Sequence, residues 1–396
     1  MPKKTVEDID VNGKRVLLRV DFNVPLSRNG GGISDDSRVR ASLPTIKYLV
    51  DHKAKVIICS HVGRPGGKVV ENLRMAPIAQ RLSQFMGLPV TAASDCIGHE
   101  VENKVKKLRA GDILVLENLR FHPEEEQNDA GFARKLARLA DIYVDDAFGT
   151  AHRAHASTVG VAKYLPAVAG FLMKKELVVM DKLLHDPRRP LACLIGGAKV
   201  SDKMDLLQIM LKKVDVLLVG GGMAATFLKT QGHEVGRSMI EPDKLGLARK
   251  LLQQATEYVV PFLLPVDAVV ADEVRVGAET NRVPVTGISA ASHIVDIGPQ
   301  SVELFCGRLR ACGTIIWNGP MGIYEIPEFA QGTRSIASFL ATLHATTIIG
   351  GGSSAEVVQE MGLTDKMTHV STGGGASLRL LEGVALPGVE VLLDKK

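Results

Sequence analysis

Two lysines four residues apart follow two glycines in Gly196-Gly-Ala-Lys-Val-Ser-Asp-Lys203, at the end of the apolar run Leu191-Ala-Cys-Leu-Ile. Glycine lets a backbone N–H approach an anion closely, and lysines beside the positive end of a helix dipole are unfavourable unless an anion sits there. If a helix opens at the glycines, Lys199 and Lys203 share one face of its first turns, and a polyphosphate would balance them. Four further apolar runs end in glycine: Val216-Leu-Leu-Val-Gly-Gly-Gly, Ile315-Ile-Trp-Asn-Gly-Pro, Thr347-Ile-Ile-Gly-Gly-Gly and His369-Val-Ser-Thr-Gly-Gly-Gly. A single such run is a tight turn, but five at equivalent positions point to a phosphate-bearing ligand along the carboxyl edge of a parallel sheet. No Gly-x-x-x-x-Gly-Lys-Ser/Thr occurs, which excludes a P-loop, and Gly220-Gly-Gly-Met-Ala-Ala is not the dinucleotide fingerprint.

The first half offers cations instead. Strand-like runs Arg15–Phe22, Val56–Ser60, Ile113–Glu117 and Ile142–Val144 are followed by Asp21 and Asn23, by His61 and Arg64, by Arg120 and His122, and by His152, Arg153 and His155. A parallel sheet gathers such ends on one edge, and guanidinium groups bind phosphate and carboxylate bidentately, so the set fits a small polyanion. Asp21 and Asn23, alternating on one strand face, could hold a substrate hydroxyl. His152-x-x-His155 lacks the carboxylate or cysteine pattern of a metal site, and no residue is assigned as a metal ligand. Glu124–Glu126 and Arg134–Arg138 read as solvated surface.

These groups must be positioned by elements, and 396 residues allow two or three domains. Strands alternate with helix-length segments in both halves, giving an α/β chain with two Rossmann-like parallel-sheet domains. The segment from Gly170 to Leu184 is amphipathic, with Leu172, Glu176, Val179 and Leu183 marking its turns, and it stops at Asp186-Pro187. It reads as a helix joining the domains, in an arrangement where it could act as a lever or hinge. A net charge of +4 without a basic arm argues against nucleic acid, and the longest apolar stretch, Val214–Leu228, holds Asp215 and three glycines, so no membrane span is expected. The start lacks a secretory h-region, and the five cysteines show no Cys-x-x-Cys, so a cytoplasmic protein with reduced thiols is expected.

From Lys14 to Glu390 the chain resembles the phosphoglycerate kinase family. The resemblance rests on Arg19-Val-Asp-Phe-Asn-Val-Pro-Leu26, His61-Val-Gly-Arg-Pro65, Glu117-Asn-Leu-Arg-Phe-His122 and Asp146-Ala-Phe-Gly-Thr-Ala-His-Arg-Ala-His155. It continues in Gly170-Phe-Leu-Met-Lys-Lys-Glu-Leu177, Gly196–Lys203, Trp317-Asn-Gly-Pro320 and Val370-Ser-Thr-Gly-Gly-Gly-Ala-Ser377. It implies reversible phosphoryl transfer between 1,3-bisphosphoglycerate and ADP, with Mg²⁺ on the nucleotide, in a monomer. The implied domains are 1–170 for 3-phosphoglycerate, the helix 171–186, 187–378 for the nucleotide, and 379–396 returning to the first domain. By motif, Asp21, Asn23, Arg38, His61, Arg64, Arg120 and Arg153 would bind the glycerate. Gly197, Lys199, Lys203, Gly220, Gly221, Asn318, Glu325, Gly351, Gly352, Ser353 and Ser354 would bind the nucleotide, and Arg38, Lys199, Gly351 and Gly374 would stabilise the transferring phosphoryl group.

The chain also departs from the family pattern. An Asp that helps hold the metal is usual where this chain has Ser353, and Ser353-x-x-Glu356 reads as a capping box instead. Asp145 stands where Asn is commoner. The alternative function is accordingly a phosphoanion-binding or regulatory member of the family with impaired catalysis.

Overall fold

The computed structural model describes residues 2–24, 32, 33 and 35–395; Pro25 and Leu26, which close the first motif, lie outside the described residues. The chain divides into two compact units, Met1–Asp181 with Val384–Lys396, and Lys182–Gly383. The helix expected at 171–186 is continuous over Phe171–His185, and the division falls within it. Its buried side chains are Met173, Glu176, Met180 and Leu183, so Leu172 and Val179 are only half-buried, a shift of one position from the expected stripe.

The first unit is built on a parallel sheet in the order β3 (Val90–Ala92), β4 (Ile113–Val115), β2 (Lys55–Cys59), β1 (Arg15–Arg19), β5 (Ile142–Asp145), β6 (Ala167–Ala169). The central strands are buried on both faces, which is why they read as near-continuous apolar runs. In register, Arg19 lies between Cys59 and Asp145, aligning the carboxyl ends of β2, β1 and β5. Strand β1 ends sooner than the run Arg15–Phe22 suggests, so Asp21 and Asn23 stand in the loop beyond it rather than on a strand face. The chain's last residues return to this unit from Val384, not 379. There Leu393 N–H donates to Ala167 O at 2.9 Å, and Lys3 Nζ pairs with Asp394 at 2.7 Å.

The second unit repeats the plan: β15 (His369–Val370), β14 (Thr346–Gly350), β13 (Thr314–Asn318), β7 (Leu191–Ile195), β8 (Val216–Val219), β9 (Phe262–Leu263), all parallel. All five glycine-terminated runs are strands of this one sheet. Trp317 and Phe305 are fully buried at its core, and the Trp317 indole N–H is satisfied by Gly319 O at 2.8 Å. A three-stranded antiparallel sheet, β11 (Asn281–Pro284), β10 (Asp267–Ala271), β12 (His293–Ile297), was not expected from the sequence. Among the described residues no helix is long and apolar enough to cross a membrane.

Candidate active site

The cations of the first unit stand after four neighbouring strands, β4, β2, β1 and β5. Asp21 is buried and paired with Arg38. Burial alone would raise its carboxyl, but Arg38, His61, Arg19 and the Asn23 N–H together hold it below the ordinary carboxylate range, so it is an anion. Asn23 is exposed, and its side-chain oxygen accepts from Gly63 N–H at 2.8 Å. Arg120 is buried; it donates to Gly63 O at 2.8 Å and pairs with Glu126 at 3.2 Å. Asn23, the Gly63 peptide and Arg120 thus form one connected array beside Arg64, which is exposed.

His61 is buried, and burial together with Arg19, Arg120 and Arg38 pushes its pKa well below the ordinary value, so the ring is neutral at physiological pH. Arg19 Nη2 lies 3.1 Å from His61 Nδ1. A guanidinium can only donate, so Nδ1 accepts and the ring proton is on Nε2, leaving His61 as a hydrogen-bond donor. Arg19 is itself fully enclosed, donating to Ser157 Oγ at 2.9 Å and to Val20 O. Behind the cations Glu125 is fully buried and accepts from Ser157 N–H at 2.9 Å and Ser157 O–H at 2.6 Å. The expectation that Glu124–Glu126 is solvated surface is therefore wrong for Glu125, which is core, whereas Glu126 is exposed and pairs with Arg120. Arg153 is half-buried with His152 Nε2 at 3.1 Å, and burial plus Arg120, Arg19 and Arg153 lower His155 to about 4.

In the second unit the strand-end loops interlock. Gly221 has φ +68°, and a Cβ there would sit 2.6 Å from Gly197 N, so only glycine admits this approach. Gly197 N–H donates to Pro320 O, and Gly221 N–H to Met321 O, each at 3.0 Å. Gly220 is packed under Met321, whose sulfur a Cβ would meet at 2.5 Å, so this glycine faces the core. A cavity of about 600 Å³ opens beside these loops, with Gly197, Gly221, Leu228, Tyr324, Glu325 and Ser353 among its walls. That volume suits a nucleoside.

Lys199 is exposed and precedes the helical segment, which begins as a 3₁₀ turn at Ser201–Lys203 and becomes α-helix only at Met204. The two lysines therefore do not share a helical face, because Gly197, at φ +114°, sets the chain direction before any helix starts. Lys203 reaches Asn318 Oδ1 at the end of β13, and burial lowers its pKa. Asn318 lies between Ile195 and Gly350 in register, and its buried Nδ2 has no hydrogen-bond partner. A Cβ on Gly350 would sit 2.9 Å from that nitrogen.

Gly351, at φ +83°, precedes the helix Gly352–Glu360, and Gly352 has open space where a side chain would be. The capping box expected from Ser353 and Glu356 does not form, because the helix starts two residues early, at Gly352, and Glu356 instead accepts from Tyr324 Oη at 2.8 Å. Ser354 is buried and its hydroxyl accepts from Gly319 N–H at 2.8 Å. Gly374, at φ +46°, precedes Gly375–Leu381.

The model of the family described as phosphoglycerate kinase matches residues 6–384. The chain belongs to the phosphoglycerate kinase family. It is 55% identical over 395 residues to the phosphoglycerate kinase of Pelotomaculum thermopropionicum and 55% identical over 399 residues to that of Dictyoglomus turgidum, covering 100% of each chain in both cases. Among solved structures it is similar to the phosphoglycerate kinases of Coxiella burnetii, at TM-score 0.87 and 39% identity, and Pyrococcus horikoshii, at TM-score 0.87 and 33% identity. In both, 98% of each chain is covered.

For a member of this family, the geometry adds three residues to those found by motif: Arg19, Glu125 and Tyr324. Arg19 carries a signal in the sequence, a charge inside an otherwise apolar strand. Glu125 carries none, since it is indistinguishable from Glu124 and Glu126 until the fold encloses it.

Proposed function

We propose that the chain catalyses reversible phosphoryl transfer between 1,3-bisphosphoglycerate and ADP, giving 3-phosphoglycerate and ATP, with glycerate on the cations of the first unit and nucleotide on the glycine-lined strand ends of the second. The observation that carries this reading is the family match, which runs through both units and takes in the strand ends on which these groups stand. An acyl phosphate has a good leaving group and the attacking ADP oxygen is already an anion, so no strong general base is needed. Rate enhancement then comes from positioning and from charge placed where the phosphoryl group passes.

The roles follow from the chemistry of each group. Ionised Asp21 accepts from the glycerate hydroxyl, with Asn23 beside it. His61 donates from Nε2, and Arg38, Arg64, Arg120 and Arg153 neutralise carboxylate and phosphate. Gly197 and Gly221 wall the nucleoside, and Glu325 reaches the ribose. The unpartnered Asn318 amide supplies a donor toward the phosphates, with Lys203 alongside. Lys199 and the N–H groups at Gly351, Gly352 and Gly374 stabilise the transferring group on the second unit.

Mg²⁺ on the nucleotide would neutralise phosphate oxygens. The residues beside the phosphate position fit a hard cation that keeps phosphate and water ligands, because Ser353 brings one hydroxyl to the cavity wall while Glu356 is engaged by Tyr324 and Ser354 by Gly319.

ATP formation from 1,3-bisphosphoglycerate and ADP, titrated with Mg²⁺ and Mn²⁺ beside Ser353→Asp, tests the proposal. Turnover is expected in the unaltered protein, with the variant reaching half-maximal rate at a lower metal concentration. Activity found only in the variant would favour the phosphoanion-binding alternative.

A further inference from the structure

We propose that Asp95, Cys96 and His122 form a binding site for a zinc ion. Asp95 and Cys96 lie in the loop between β3 and the helix His99–Lys107, and His122 closes the loop after β4 that carries Arg120. One donor atom from each residue lies within 4.8 Å of the other two, and His122 Nε2 is 2.7 Å from Asp95 Oδ1. A tetrahedral zinc with bonds of about 2.0–2.3 Å spaces its ligands about 3.3–3.8 Å apart, so small side-chain rotations seat the ion.

The donor types select the metal. Imidazole, thiolate and carboxylate together suit zinc, whereas Mg²⁺ and Ca²⁺ take oxygen alone. Cys96 is fully buried, while the Asp95 and His122 side chains are 47% and 25% exposed, so the ion enters from their side and a water completes the fourth position. The His122 ring also packs 5.2 Å from that of Phe132, which fixes its direction.

The ion would tie the loop after the sheet's short edge strand, β3, to the Arg120 loop, where Glu117 N–H already donates to Asp95 O at 3.3 Å. Its role is structural support for one wall of the glycerate site, independent of the nucleotide metal.

The full chain, stripped with a chelator and titrated with Zn²⁺ by calorimetry and with Co²⁺ by absorption, decides the matter. One equivalent is expected, with a thiolate-to-cobalt charge-transfer band in the near ultraviolet. Cys96→Ser should abolish the band, and Cys96→Ser and Asp95→Asn should each weaken zinc binding by about tenfold or more. Absence of the band in the unaltered protein, or zinc affinity in Asp95→Asn and Cys96→Ser unchanged from that of the unaltered protein, overturns the site. If Cys96→Ser misfolds by circular dichroism, the unaltered spectrum and Asp95→Asn still decide.

Discussion

Asp145 ends β5 with no exposed surface, and burial pushes its carboxyl from 3.8 up to about 7 despite Arg19 and the Ala147 N–H. The unfolded chain ionises this group near its ordinary value, so the native state holds an extra proton across the interval between the two, and stability falls as pH rises through it. Asp146, raised to about 6, and Asp296, raised to about 7, act in the same direction, both through burial. Asparagine keeps the Ala147 hydrogen bond without the charge. Asp145→Asn is therefore expected to match the unaltered protein near pH 4 and to exceed its stability by roughly 2–4 kcal/mol at pH 8, from about 1.4 kcal/mol per pKa unit. Urea unfolding at the two pH values measures this, and a difference independent of pH would mean that carboxyl ionisation is not its source. From sequence alone Asp145 stands out only as an unusual residue near the glycerate site. Its effect on stability appears once β1 and β6 are seen on either side of it, which is a property of strand order and not of local pattern.

Strand ends do the positioning, and their legibility depended on how strongly the strand core is buried. The runs at β7, β8, β13 and β14 were readable because strands covered on both faces are nearly all apolar, and a glycine stops each where the loop must pass close to another backbone. Strands of two or three residues, such as β3, β6 and β9, are too short to show any period, and the β11–β10–β12 sheet has an exposed edge strand with little apolar character. Lys199 and Lys203 were assigned to the right loop but the wrong geometry, because spacing assumes a helix that Gly197 delays. Ser354 shows what holds the loops in place: its buried hydroxyl is the acceptor for Gly319 N–H, on the segment whose Pro320 carbonyl anchors Gly197. Ser354→Ala should cost about 1–3 kcal/mol by leaving that N–H unsatisfied, and should weaken ADP binding along with stability. Ser353→Ala, at a half-buried position, should change stability by no more than about 0.5 kcal/mol. Equal effects of the two substitutions in thermal unfolding would show that the Gly319 contact does not organise the loop.

Each of the two units has its own parallel sheet and its own buried core, one around Val16, Leu18 and Val56, the other around Leu194, Ile315 and Trp317. A chain built this way need not open as a single block, and a ligand stabilises whatever part of the native structure it binds. At about 100 times its dissociation constant a ligand adds about 2.7 kcal/mol, which slows by about a hundredfold the exchange of amides released only when its own unit opens. With 3-phosphoglycerate alone, slowed hydrogen exchange is expected at residues 19–24, 60–64, 118–126 and 150–158, the strand ends that carry the cations. With ADP alone it is expected at 196–203, 219–225, 318–325 and 350–355. The core strands β1 and β2 should follow the first ligand, and β7 and β13 the second. Because each ligand is assigned to one unit by the chemistry of its strand ends, exchange read at peptide resolution tests both assignments at once. Protection of the same strands by both ligands would show that the units open together, whereas protection of β7 and β13 by 3-phosphoglycerate alone would reverse the assignment of cations to glycerate and glycines to nucleotide.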